Sequence, residues 1–173
     1  MPASDWLLRL LGRKPEAQLR FSRQQWNEMV AELARRGGGH RESGCFLLGR
    51  RANGTGRVDR IVYFDDLDPN CLQGAISFDG AAFEPLWGTC RSAGLRVVAD
   101  AHTHPGSGVG QSTIDRANPM IAQAGHIGII LPNFGQGDIH PRDVGVHEYL
   151  GDEGWRSRFG KQADSRIYVG WRP

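Results

Sequence analysis

The segment that most constrains how this chain can fold runs from residue 95 to 115: LRVVADAHTH, then PGSGVGQ, then STID. The first ten residues read as a mostly buried strand, which requires a sheet around it. Pro105 ends that strand, the glycines of GSGVGQ let the chain turn back, and Ser112 opens a helix predicted to reach about Ala124. A strand, a flexible loop and a capped helix in immediate succession are the parts of a layered fold in which helices pack on a sheet.

The rest of the chain supplies matching pieces. LRF, residues 19 to 21, reads as a short strand. Ser22 can cap the helix RQQWNEMVAELARR, where Trp26, Met29, Val30 and Leu33 recur at helical spacing and the run GGG stops it. GCFLLGR and GRVDRIVYFDDL read as strands of a hairpin turned at RANGTG, with Asn-Gly supplying positive φ. Residues 81 to 93 read as a helix, and HIGIILP, VGVHEYL and RIYVGW as later strands. No repeat or low-complexity segment interrupts the series. The expected fold is α/β or α+β, one central mixed sheet flanked by helices. At 173 residues the chain is the size of one domain, taken as 19–173, with residues 1–18 as an appendage. Within that appendage WLLRLL, residues 6 to 11, is apolar on more than one side and is cut off by GRKPEAQ.

Composition excludes several functional classes. Hydrophobic residues are 39% and charged residues 23% of the chain, a globular balance and not a disordered one. The net charge is +2, from 21 basic and 19 acidic residues, with the basic ones scattered, so nucleic-acid binding is not implied. Cys45, Cys71 and Cys90 are odd in number and lack C-x-x-C spacing, which argues against a disulfide framework or a thiolate zinc site and for a reducing, cytoplasmic setting. The opening apolar run is too short for a membrane span and carries Asp5 where a signal peptide would be basic.

The chemistry concentrates in the opening segment. Side chains alternate along a strand, so His102 and His104 point to the same side. The loop can return Asp115, on the first turn of the next helix, to meet them. Two imidazoles and a carboxylate are a ligand set that a catalytic zinc takes, leaving its fourth position to water. STID is also a capping-box variant, which by itself accounts for Ser112 and Asp115. Two imidazoles side by side without a shared partner are harder to explain, since they bear a desolvation cost and repel on protonation. Local chemistry leaves both readings open. Glu42, ahead of the apolar strand residues Phe46, Leu47 and Leu48, sits at a strand mouth. An acid beside such a site, without ligating the metal, suits the general base of a hydrolysis.

These residues together resemble the JAB/MPN metalloprotease family and its JAMM motif: a glutamate upstream, then H-x-H, ten residues and an aspartate, with a serine three before that aspartate. ESGCFLLG carries the glutamate, and the likeness covers roughly residues 19 to 150. The resemblance implies that His102, His104 and Asp115 hold Zn2+, that Glu42 is the general acid/base, and that Ser112 steadies the tetrahedral oxyanion. It departs at Gly110 and Gln111, where bacterial members often have proline before the serine and eukaryotic ones a tryptophan two before it; this bears on the substrate and not on the metal. His40, His126, His140 and His147 match no role in the family and read as surface or satisfied core residues, and Cys45 as a small core residue.

The function implied is a zinc-dependent peptidase or isopeptidase that cleaves after the C-terminal glycine of a ubiquitin-like protein. That protein or its conjugates, with the associated activating and conjugating enzymes, would be its partners. An alternative for the same site is release of cysteine or a short peptide from a sulfur-carrier protein. A non-catalytic scaffold is the minority alternative, because all five motif positions are filled. A zinc nucleoside deaminase is excluded by the lack of P-C-x-x-C, although His40-Arg41-Glu42 has the H-x-E spacing. The substrate is expected to lie extended near the metal, added to an exposed strand edge.

Overall fold

The computed structural model describes residues 17–73, 76–78 and 80–172. The expected apolar run at residues 6 to 11 and most of the appendage lie outside the described residues. One mixed sheet of eight strands runs through the molecule in the order β7-β6-β5-β4-β2-β3-β1-β8. The strands are β1 (Leu19–Ser22), β2 (Gly44–Ala52), β3 (Thr55–Tyr63), β4 (Arg96–Thr103), β5 (Ile127–Leu131), β6 (Gly145–Tyr149), β7 (Trp155–Arg158) and β8 (Ile167–Gly170). β4 pairs antiparallel with β2 and parallel with β5, so the histidine-bearing strand lies in the interior of the sheet. The free edges are β7 and β8.

Local signals account for much of this. Helix α1 (Arg23–Gly37) starts with a full capping box between Ser22 and Gln25 and stops where Gly38 turns left-handed at φ 59°. Its buried face is Trp26, Met29, Val30 and Leu33. They pack with Leu19, Phe21, Cys45, Leu47, Ala99 and Ala101 in a core on one face of the sheet. The β2–β3 turn places Asn53 and Gly54 at φ 50° and 81° between the paired Ala52 and Thr55, as a two-residue primed turn requires. On the opposite face, helix α2 (Phe64–Leu67) and helix α3 (Phe83–Ala93) cover a second core built on Phe46, Leu48, Phe64, Leu72 and Leu86. Two cores on one sheet make a three-layer α/β fold. Among the described residues no helix is long and apolar enough to cross a membrane.

Three expectations change. The helix opened by Ser112 is only Thr113–Ala117 (α4), because Pro119 disfavours the helical region at Asn118 and the chain leaves the helix there. The second hairpin strand ends at Tyr63, and its last residues, Phe64–Leu67, form the single turn of α2. Trp155–Arg158 is an edge strand, and Lys161–Asp164 (α5) a helical turn, where no element was expected.

Candidate metal centre

Sheet register sets the histidines. In β4 the residues Ala99 and Ala101 face the α1 core, so Asp100 and His102 face the other way, toward α3, and His104 follows them just past the strand end. On the α3 side of the sheet the two imidazole rings lie with centroids 5.1 Å apart. Their Nε2 atoms are 3.2 Å from each other.

Asp115 reaches both rings. Its Oδ2 lies 3.3 Å from His104 Nε2 and its Oδ1 3.6 Å from His102 Nε2. The capping box and the cluster are the same object: Ser112 Oγ accepts from the Asp115 N–H at 3.1 Å while Asp115 Oδ2 accepts from the Ser112 N–H at 2.7 Å. The cap therefore fixes the carboxylate before any ligand arrives. The three side chains offer ligand atoms that all lie within 4.8 Å of one another. A tetrahedral zinc with ligands at about 2.0–2.1 Å would separate donor atoms by roughly 3.3–3.4 Å. The spacing of these atoms, and a neutral-imidazole and carboxylate donor set, fit such an ion.

The electrostatics follow from that crowding. Burial raises the Asp115 carboxyl's pKa, but the hydrogen bonds to His102 and His104 outweigh it and hold the group well below the usual carboxylate range. The bond to Asp115 raises the pKa of His104, against the opposing effect of burial, and the charge of Glu42 adds to the rise.

Glu42 is brought to the same place. Ser43 is fully buried, its N–H donating to Thr103 Oγ1 and its Oγ–H to the Leu33 carbonyl, and Thr103 N–H donates back to the Ser43 carbonyl. Gly44 stands opposite His102, and a side chain at 44 would run into the Phe64 ring. Glu42 thus emerges half-buried beside the end of β4. It lines, with His102, Ser112 and Asp115, a groove of about 740 Å³ whose other wall is apolar, with Phe78, Phe83, Ile114 and Met120. All five expected site residues line this groove or belong to the ligand cluster opening on it.

The loop between them is tied down by residues that sequence patterns did not single out. His147, 1% exposed, has Nε2 2.9 Å from the Val109 carbonyl and Nδ1 2.8 Å from Ser157 Oγ. Burial lowers its pKa, keeping it neutral: Nε2–H donates to the carbonyl and Nδ1 accepts from the serine. Trp155 Nε1–H donates to the Arg116 carbonyl and pins α4. Asp100 Oδ1 lies 2.6 Å from His126 Nε2 in a buried pair. Asp100 could have been found, since it precedes His102 and His104 at the same period of two; the other contacts are long-range and leave no local pattern. His40 and His140 are exposed, and Cys45, Cys71 and Cys90 are free and buried. Burial pushes the Cys71 thiol up to about 12 and Cys45 higher still, which makes them inert.

The histidine-bearing strand itself offers no free edge to an added substrate strand. β4 has strands on both sides; the sheet's edges are β7 and β8, and Trp155 of β7 reaches α4 and lines a small pocket with His102 and Asp115. The groove beside the cluster is walled by loops and helices.

No family model matches this chain. Among solved structures it is similar to a protein from Desulfitobacterium hafniense, 19% identical, with a TM-score of 0.60 over 87% of this chain and 92% of that one. It is also similar to a protein from Salinibacter ruber, 15% identical, with a TM-score of 0.52 over 85% of this chain and 86% of that one. At these identities the likeness is one of fold.

Proposed function

We propose that this protein is a zinc-dependent hydrolase of the JAB/MPN type, which cleaves the peptide or isopeptide bond after the C-terminal glycine of a ubiquitin-like protein. The observation that carries the reading is the convergence of His102, His104 and Asp115 at separations of 3.2, 3.3 and 3.6 Å beside a groove that Glu42 and Ser112 also line. A Zn2+ ion held by these three side chains would act as a Lewis acid and lower the pKa of water at its open position toward neutrality.

The chain's own residues supply the remaining steps. Glu42 makes no hydrogen bond or ion pair among the described residues, so its carboxylate is available to take a proton from the attacking water and return it to the departing amine. Ser112 uses its oxygen as the acceptor of the helix cap, which leaves its O–H to donate to the carbonyl oxygen of the scissile bond as charge develops there. The ties of His147 to Val109 and of Trp155 to Arg116 hold Ser112 and Asp115 in register with β4. The apolar wall of Phe78, Phe83 and Met120 receives an extended tail, and close approach to the cluster favours glycine before the bond.

The test is a ubiquitin-like domain ending in glycine, fused at that glycine to a reporter peptide. Zinc-loaded protein should release the peptide, and a glycine-to-valine substrate should bind yet resist cleavage. Equal cleavage of the valine substrate, or of unstructured peptides alone, would replace this reading with a general peptidase. Separate substrates joined through a lysine amine, an α-amine or a terminal cysteine distinguish deconjugation from sulfur-carrier processing.

A further inference from the structure

Next to the ligand cluster, sharing His102 and Asp115 with the groove, lies a small pocket of about 30 Å³. Its walls include Asp100, His102, Gln111, Gly128 and His147. Two buried polar atoms on those walls, His102 Nδ1 and Gln111 Oε1, have no hydrogen-bonding partner among the protein's atoms. Buried polar atoms are ordinarily hydrogen-bonded, so two without partners on one pocket mark a place where something polar belongs. The volume suits one or two water molecules, which need about 10–15 Å³ each and two to four polar partners.

We infer that Gln111 and Asp100 hold a buried water against Nδ1 of His102, and that through this water Gln111 positions the imidazole for its metal. This rests on the metal-binding reading above. The water accepts from the Nδ1–H of His102 and donates to Gln111 Oε1 and to the Asp100 carboxylate. Asp100 is itself held by His126 at 2.6 Å. With Nδ1 committed as the donor, Nε2 is left bare, its lone pair directed at the space between His104 and Asp115. A histidine ligand ordinarily has such a partner on its second nitrogen. Gln111 is one of the two residues, with Gly110, at which this chain departs from the sequence pattern of the motif, and a water held here gives that departure a purpose. His104 is served differently, by the backbone at Gly108.

Two variants test the inference without touching a ligand. Gln111→Met keeps the length of the side chain and removes the acceptor. Gly128→Ala adds a methyl group to the cavity wall, about 3.8 Å from the Asp100 carboxylate and without a clash, and so takes up the water's space. Zinc affinity of the full chain, measured by competition with a chromophoric chelator, should fall about 10–100-fold in Gln111→Met and by a smaller factor in Gly128→Ala. Melting temperature of the metal-free variants shows whether the fold is kept. A high-resolution crystal structure of the zinc-loaded wild type should place a water within hydrogen-bonding distance of both His102 Nδ1 and Gln111 Oε1. Folded variants that bind zinc as tightly as wild type, or a dry cavity in that structure, would overturn the inference while leaving the metal site intact. Wild-type protein that takes up no zinc would instead defeat the reading on which it rests.

Discussion

Gly145→Ala is a sensitive probe of how the site is held, because it alters neither a ligand nor a groove residue. Gly145 pairs with Ile130 in the β5–β6 ladder, and its backbone lies under the loop that leads to Ser112. A β-carbon there would fall inside the contact envelope of the Val109 carbonyl and 2.6 Å from His147 Nε2. One of two things must give. If the loop stays, overpacking costs about 1–3 kcal/mol. If it lifts, the 2.9 Å bond from His147 to Val109 is lost and a buried donor is left unpaired, again about 1–3 kcal/mol. Relief of one cost incurs the other, so the two are not summed. For a domain of this size the loss corresponds to a melting temperature lower by about 2–12 °C. A lifted loop also displaces the cap that aims Asp115, so zinc affinity should fall with stability. Gly88→Ala is the control: Gly88 lies within α3 with open space around its β-carbon, and alanine there should stabilise by about 0.5–1 kcal/mol. Urea unfolding of both variants, with chelator competition for zinc, measures the effects. A Gly145→Ala protein as stable as wild type and equally avid for zinc would refute the claim that His147 anchors the loop.

Zinc affinity should depend on pH through His104. Its metal-free pKa is raised above the ordinary 6.5 by the Asp115 bond, so affinity is full above that raised value and falls as pH drops through it, by about tenfold per pH unit for one displaced proton. Asp115, held far below the usual range, stays ionised throughout and adds no slope; affinity flat between about pH 8 and about pH 6 would contradict this. Ser112→Ala should cut turnover while retaining most of the zinc, and should cost about 1 kcal/mol of stability from the lost cap; full turnover in a folded variant would remove Ser112 from the oxyanion role.

What could be read from the sequence was what local physics determines. The period of two in LRVVADAHTH put His102 and His104 on one side of a strand, and the spacing of Ser112 and Asp115 announced a capping box; both are present. The Asn-Gly turn and the glycine stop of α1 were equally local. The helix that Ser112 opens stops at Ala117 and not near Ala124, because Pro119 disfavours the helical region at Asn118. Nothing local could place β4 in the interior of the sheet or bring the edge strand β7 to its side through Trp155. The anchors at His147 and Trp155 join residues 38 and 39 positions apart, and only the folded register brings them together. That Gln111 and His102 line one pocket, each with an unpartnered polar atom, is likewise visible only in the fold.

The central claim is that Glu42 moves the proton in a hydrolysis run by a metal held at His102, His104 and Asp115. Glu42→Gln separates the two roles in one preparation: it keeps the size and polarity of the side chain and removes the base. Zinc content and release of peptide from a glycine-ended ubiquitin-like fusion should be measured on the same sample. The account predicts about one zinc per chain, as in wild type, with turnover lower by about 10²–10⁴-fold. Turnover near the wild-type rate, or a variant that loses its zinc together with its activity, would contradict it.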